Sequence, residues 1–233
     1  MAFIEFRNVS KYYNVNDEKK YVISDFNLEL KKGEFVVIKG VSGSGKSLIL
    51  NFLASFEKPS EGKIFFNRKN IVKFSGNKIT DYRRKNIGFA DEKCDLIEDL
   101  TVLENIILAV NLVTKSIDAE SYIKRLKLAD KLNYYPHQLS DSDKMKVVLL
   151  RALCKSPKIL LCDEIFNKME SKDKKDSIKL IKSIIRKEKI LVLASCSDNL
   201  LSPIANRVVI LKNGTINKII ENKKPKAVGD VKW

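Results

Sequence analysis

Short apolar runs rich in β-branched residues alternate along this chain with stretches whose apolar residues recur every three or four positions. The runs are FVVI (35–38), KILLCD (158–163), ILVLAS (190–195) and RVVILKNG (207–214), and the first leads into KSLILNFLASF, whose spacing predicts a helix. Such alternation predicts βαβ units around a mostly parallel sheet. The first 30 residues and KIFFN (63–67) read instead as antiparallel strands beside that core. Between Asp99 and Leu153 the strand signal disappears, and segments such as TVLENIILAV and AESYIKRL predict a helical subdomain inserted in the core. The expected architecture is α/β. It is one domain over residues 1–222, with the core and its antiparallel part at about 1–90 and 155–222 and the helical part at about 91–154. A chain of 233 residues with 44% apolar content is long enough to bury such a core. The charged tail, with its Pro and Gly, predicts a flexible, loosely held end over 223–233.

Residues 40–47 read GVSGSGKS, a G-x-x-x-x-G-K-[ST] pattern lying directly after an apolar strand and before an apolar-periodic helix. Gly40, Gly43 and Gly45 let the backbone close around phosphate oxygens. Successive N–H groups, with Ser42 and Ser44 in the loop and Leu48 in the first helical turn, then face the negative charge. Lys46 supplies a mobile cation to the β- and γ-phosphates, and the Ser47 hydroxyl is a ligand for Mg²⁺. Downstream, KILLC ends in Asp163-Glu164, and a parallel sheet places its ligands at such strand ends. Asp163 suits the magnesium shell, and Glu164 suits the polarisation of a water for in-line attack on the γ-phosphate. The expected cofactors are ATP and Mg²⁺.

The net charge of +15 raises nucleic acid or anionic lipid as partners, but the lysines are scattered along the chain with Asp and Glu between them. That distribution describes a solvated basic surface, and no nucleic-acid partner is expected. Cys94, Cys154, Cys162 and Cys196 form no C-x-x-C pair and stand near no histidine cluster, so reduced thiols are expected and zinc is not. The one histidine, His137, follows Pro136 in a loop and suits an ordinary hydrogen-bonding role. No stretch approaches the roughly 20 apolar residues of a membrane-spanning helix, and the N-terminus lacks the basic-then-apolar order of a secretory signal. The chain reads as cytosolic.

Together with the phosphate loop, the stretches KITDYRRKNIGF, DLTVLENI, YPHQLS, LLRAL, PKILLCDE and NRVVILKNG make nearly the whole chain resemble the nucleotide-binding domains of ABC transporters. Within that family it is most similar to the lipoprotein-release, macrolide-export and cell-division group, the LolD, MacB and FtsE types. The resemblance implies a P-loop NTPase with a RecA-like core, in which each ATP lies between one chain's phosphate loop and the other chain's signature loop. Tyr13 in VSKYY stands where the family stacks an aromatic ring on adenine, although an isolated tyrosine belongs equally well to strand packing. Ser140 is the serine of the signature loop.

Four family elements are altered. Glu92 replaces the glutamine that joins the metal shell. The signature L-S-G-G-Q reads Leu139-Ser140-Asp141-Ser142-Asp143. Glu170 stands at the acidic D-loop position. Ser197 stands where the family has its switch histidine. Asp141 and Asp143 bring negative charge toward a γ-phosphate while also starting a helix well, and serine lacks the basic imidazole that orients the γ-phosphate. Binding is expected to survive and turnover, carried by Glu164 and Ser197, to be slow.

The resemblance further implies an ATP-binding subunit that couples Mg-ATP binding to a MacB/LolC/FtsX-like membrane partner. It would be peripheral on the cytoplasmic face of the cell (inner) membrane and paired with a second nucleotide-binding domain, homo- or heteromeric. The segment from Phe89 to Leu103 is the expected docking region, although its Leu96, Ile97 and Leu100 suit packing within the domain as well. The alternative is a hydrolysis-poor, nucleotide-gated regulatory or scaffold subunit of a membrane signalling or cell-division complex.

Overall fold

The computed structural model of the chain describes residues 2–93, 96–111, 118–197, 199–231 and 233. Two sheets organise it. The first is antiparallel, in the order β2-β1-β4-β5, and joins β1 (Ile4–Val15), β2 (Glu18–Leu30), β4 (Glu61–Phe66) and the short β5 (Lys69–Asn70). The second has six strands in the order β10-β9-β3-β8-β7-β6. Its β3 (Phe35–Lys39), β6 (Ile87–Asp91), β7 (Ile159–Asp163), β8 (Leu191–Cys196) and β9 (Arg207–Lys212) are parallel, and β10 (Thr215–Glu221) closes one edge as an antiparallel hairpin with β9.

The parallel strands read as unbroken apolar runs because both of their faces are covered. In β3, Phe35 and Val37 face a core shared with α5 (Asp141–Cys154) and α6 (Ser171–Glu188). Val36 and Ile38 face a second core shared with α1 (Lys46–Ala54) and the antiparallel sheet, where Phe6 and Phe26 meet edge to face at 5.1 Å. All six of these side chains are at most 2% exposed. At roughly 1.5–3 kcal/mol each, burials of this kind dominate the stabilisation. Tyr82, in α2 (Asn77–Asn86), fixes the far end of α1 by donating its hydroxyl to the Leu53 carbonyl at 2.9 Å.

The helical stretch carries α3 (Val102–Asn111), α4 (Ala119–Arg125) and α5. It is held by Asn105, which is fully buried and bonds the Ile97, Leu100 and Thr101 backbone. Within the segment from Phe89 to Leu103, Leu96 is buried in the core while Ile97 is 43% exposed. The tail is not loosely held where it is described. Lys226 donates its backbone N–H to the Pro203 carbonyl (2.9 Å), Val228 is buried, and Trp233 donates its indole N–H to the Val228 carbonyl (2.8 Å). Charge and Pro/Gly content hid the apolar contacts that Val228, Val231 and Trp233 make with the core beside α6. Among the described residues no helix is long and apolar enough to cross a membrane.

Candidate nucleotide site

The loop from Gly40 to Gly45 joins β3 to α1 at the carboxyl edge of the parallel sheet. Its tightness depends on missing side chains. Gly45 has φ +96, and a Cβ there would meet Ile23 Cδ1 at 2.3 Å, while one on Gly40 would meet Ser44 Oγ at 2.4 Å and the Leu211 carbonyl at 2.8 Å. No side chain caps α1, so its first N–H groups are left facing the loop's concave side, where an anion gains both hydrogen bonds and the helix dipole.

Lys46, only 5% exposed, folds back over this loop. Its ammonium donates to the carbonyls of Gly40 (2.9 Å) and Val41 (3.1 Å) and lies 3.1 Å from Glu164 Oε1. Glu164 follows β7 with φ +55, a left-handed conformation uncommon for a residue with a side chain. Ser197 donates to its Oε1 at 3.0 Å, and the Asn167 amide donates to its Oε2 at 2.5 Å. One carboxylate thus has three partners drawn from the phosphate loop, the turn after β7 and the turn after β8.

Asp163, the last residue of β7, is 7% exposed. Burial raises its carboxyl above the usual aspartate range; hydrogen bonds from Ser195 and Ser47 oppose this, and the charges of Asp91 and Glu164 add to it. The Ser47 hydroxyl and the Asp163 carboxylate are therefore in contact. Two hard oxygen donors meeting beside a phosphate loop fit Mg²⁺, which takes one or two protein oxygens and draws the rest from phosphate and water. A cation there would relieve the buried negative charge. Glu92 lines the same cavity, its backbone N–H donating to the Asp163 carbonyl at 3.1 Å.

The cavity holds about 510 Å³. Tyr13, Ser42, Lys46, Ser47, Glu92 and Glu164 are among the residues that line it. Tyr13 is 47% exposed, with its hydroxyl bonded to Glu57 at 2.8 Å, so the ring stands at the cavity's lip and outside both cores. Sequence reading missed Ser195 and Asn167. The Ser195 hydroxyl donates to Asp163 and accepts the Glu164 backbone N–H at 3.1 Å, so it ties the two acidic residues together. Its signal was present: a polar residue ending the apolar run ILVLAS at a ligand-bearing strand edge.

Ser140 lies outside this cavity. It caps α5, its hydroxyl accepting the Asp143 backbone N–H at 3.1 Å and donating to Asp143 Oδ2 at 2.9 Å. Asp143 does not present its charge as the sequence led us to expect. It is 5% exposed and paired with Lys131 and with Lys146 (2.6 Å), whose own exposure is 3%. Burial raises its carboxyl, yet hydrogen bonds from Lys131, Lys146 and Ser140 bring it below the usual range. Ser142 is also turned inward, donating to Asp173 at 2.7 Å and accepting the backbone N–H of Glu170 at 3.1 Å, and Lys146 reaches Asp173 at 3.3 Å. Two cations and two carboxylates balance, and of the D-S-D triplet only Asp141 is exposed. Cys94 lies outside the described residues. The other three cysteines are buried and form no disulfide among the described residues, and burial pushes the Cys154 thiol up to about 12.

Residues 23–167 match the ABC transporter family. An uncharacterized ABC transporter ATP-binding protein of Methanocaldococcus jannaschii, MJ1508, is 33% identical over 222 residues, covering 93% of this chain and 99% of that one. A second protein of that organism, MJ0796, described in the same terms, is 32% identical over 224 residues, 92% of this chain and 95% of that one. The dimeric structure of the MJ0796 cassette superposes with a TM-score of 0.87 at 30% identity, over 94% of this chain and 98% of that one. Family match, whole-length identity and superposed fold agree with the geometry at the phosphate loop: this chain is a member of the ABC transporter family, one of its ATP-binding proteins.

Proposed function

We propose that this chain is the energy-coupling subunit of a transporter complex. In this reading it binds Mg-ATP, pairs with a second nucleotide-binding domain, and acts on an integral membrane permease-like partner of the MacB/LolC/FtsX kind at the cytoplasmic face of the cell membrane. The observation that carries the reading is the convergence of Lys46, Ser47 and Glu164 on one cavity at the carboxyl ends of β3 and β7, with the buried Asp163 hydrogen-bonded to Ser47. Lys46 leaves Glu164 to meet the β- and γ-phosphate oxygens, the loop N–H groups bond the phosphates, and Tyr13 offers its ring to adenine. Ser47 and Asp163 hold Mg²⁺, which neutralises phosphate charge when bound, and Glu92 lies within reach of the same shell.

Glu164, released from Lys46 and still held by Ser197 and Asn167, accepts the proton of a water that attacks the γ-phosphorus in line. The bond from that phosphorus to the bridging oxygen breaks, giving ADP and phosphate. Ser140 and the start of α5 serve the partner subunit's nucleotide, and residues 1–222 act as one ATPase domain. Pairing is supported by the dimeric structure of the similar cassette MJ0796. Docking is supported by apolar side chains exposed around the expected region, with Phe56 at 55%, Ile97 at 43%, Leu103 at 37% and Leu108 at 43%. Calorimetric titration tests the nucleotide reading: Mg-ATP binds the parental chain, and Lys46→Ala weakens it by about 100-fold or more through loss of charge-assisted bonds. Unchanged affinity in that variant removes the assignment. Affinity purification of the membrane complex identifies the partner.

The hydrolysis-poor regulatory subunit is the second reading, favoured by Ser197, a hydroxyl bonded to Glu164 where the family carries an imidazole. Steady-state ATPase of the purified complex separates the two. Turnover that rises with the membrane partner and disappears in Glu164→Gln supports transport, and ATP-dependent assembly without turnover supports the regulatory subunit.

A further inference from the structure

A cavity of about 660 Å³, larger than the one beside the phosphate loop, opens between the β4–β5 hairpin, α2 and the entry to β7. One wall is a row of rings: Phe66 and Tyr82 meet edge to face at 5.3 Å, and Tyr82 meets the half-buried Phe74 in the same way at 5.8 Å. The Tyr82 hydroxyl is turned away to the Leu53 carbonyl, so this wall presents ring carbon. Three separate elements bring lysines to it. Lys69 comes from β5, where it pairs with Phe66, and Lys78 and Lys85 stand two turns apart on one face of α2. Lys158 enters just before β7, its backbone N–H bonded to the Asn86 carbonyl at 3.0 Å and its ammonium 6.0 Å from the centre of the Phe66 ring. The lining carboxylate, Asp81, is taken by Lys85 at 3.0 Å and by Arg84 at 2.9 Å. Among the described residues Lys69, Lys78 and Lys158 form no ion pair.

A generally basic surface does not account for this concentration. The whole chain carries 44 basic residues to 29 acidic, and the cavity carries four to one. Cations that converge in a concave site add their fields, and a phosphate entering it accepts charge-assisted bonds from more than one ammonium. The ring wall adds a preference for a flat apolar body attached to that phosphate. We propose that this cavity is a second ligand site, which takes a small aromatic phosphate of the nucleoside monophosphate class. The phosphate lies among Lys69, Lys78 and Lys158, and the aromatic ring lies against Phe74. The site is separate from the ATP cavity, because it stands at the amino ends of β6 and β7 while Glu92 and Glu164 follow their carboxyl ends. Both sites are therefore open to ligand at the same time.

The test is calorimetric titration of the full-length Lys46→Ala chain, whose phosphate loop is disabled, with AMP and separately with ribose 5-phosphate, which has the phosphate and no base. Each further variant is first shown to melt at the temperature of the Lys46→Ala chain. AMP is expected to bind, and Lys78→Gln and Lys158→Gln each to weaken it about tenfold through loss of a charge-assisted bond. Lys179→Gln, which removes an exposed lysine of α6 outside the cavity, is expected to leave binding unchanged. Ribose 5-phosphate is expected to bind about tenfold more weakly than AMP, and Phe74→Ala to abolish that difference while Phe74→Tyr keeps it. AMP that does not bind, or that binds the Lys78 and Lys158 variants unchanged, overturns the site. A loss in Lys179→Gln equal to theirs assigns the attraction to the basic surface as a whole and also overturns it. Ribose 5-phosphate that binds as tightly as AMP overturns the aromatic ligand.

Discussion

At the residue scale, the tie between Lys46 and Glu164 decides most of the expected behaviour. A γ-phosphate entering the loop competes with a carboxylate 3.1 Å from the same ammonium and meets its like charge. Glu164→Gln therefore binds ATP more tightly than the parental chain while losing turnover, and calorimetry with an ATPase assay reads both. Asp163 offers the opposite sign. Its carboxyl is raised by burial, so the ionised form opposes folding: stability from this group is full below the ordinary aspartate value and is lost as pH rises through the raised one. At neutral pH the penalty is present, and Asp163→Asn should raise the melting temperature without nucleotide while removing the Mg²⁺ dependence of ATP binding. A lower melting temperature would show that the Ser195 and Ser47 bonds outweigh burial. Ser197→His places an imidazole beside Glu164, and turnover should rise by about tenfold or more in a stopped-flow phosphate assay. An unchanged rate would acquit the switch position.

At the scale of elements, α5 and α6 are joined by the network Asp143–Lys146–Asp173–Ser142, in which residues that look degenerate against L-S-G-G-Q serve as structural ties. Replacing Asp143 by Gln to restore the family residue leaves Lys131 without its carboxylate and the buried Lys146 with Asp173 alone, at 3.3 Å. Breaking a buried pair costs about 3–5 kcal/mol, and denaturant unfolding of Asp143→Gln should show a loss of that order. Asp143→Gln with Lys146→Met removes both buried charges and should recover part of it. The Asp143 carboxyl is lowered, so its contribution is present above the ordinary aspartate value of about 4 and is lost as pH falls below it. Acid unfolding of the parental chain should steepen there, and that of Asp143→Gln should not.

At the scale of the whole molecule, the tail belongs to the fold. Deleting residues 223–233 removes the buried Val228 and uncovers the surface under Trp233 beside α6, and should cost about 2 kcal/mol in denaturant unfolding. No change would return the tail to the loosely held end that its composition suggested. The phosphate loop was legible from residues alone because Gly40, Gly45, Lys46 and Ser47 act through local backbone geometry at fixed spacing. The strands were legible because burial on both faces leaves unbroken apolar runs such as KILLC. Asp163-Glu164 could be read because a parallel sheet fixes which strand ends face the ligand. Ser195 left only a polar residue at a strand edge, and its tie to Glu164 joins segments 31 residues apart; Asn167 and the pairing of Asp143 with Lys131 and Lys146 could not be read, since each depends on which way a side chain turns. The sequence by itself determined the fold class, the nucleotide chemistry and the loop that holds it, because these follow from local spacing and hydrophobic period. Tertiary structure alone decided that the Asp143 charge is neutralised inside and that the tail is packed, because burial and charge pairing are set by what the rest of the chain brings alongside.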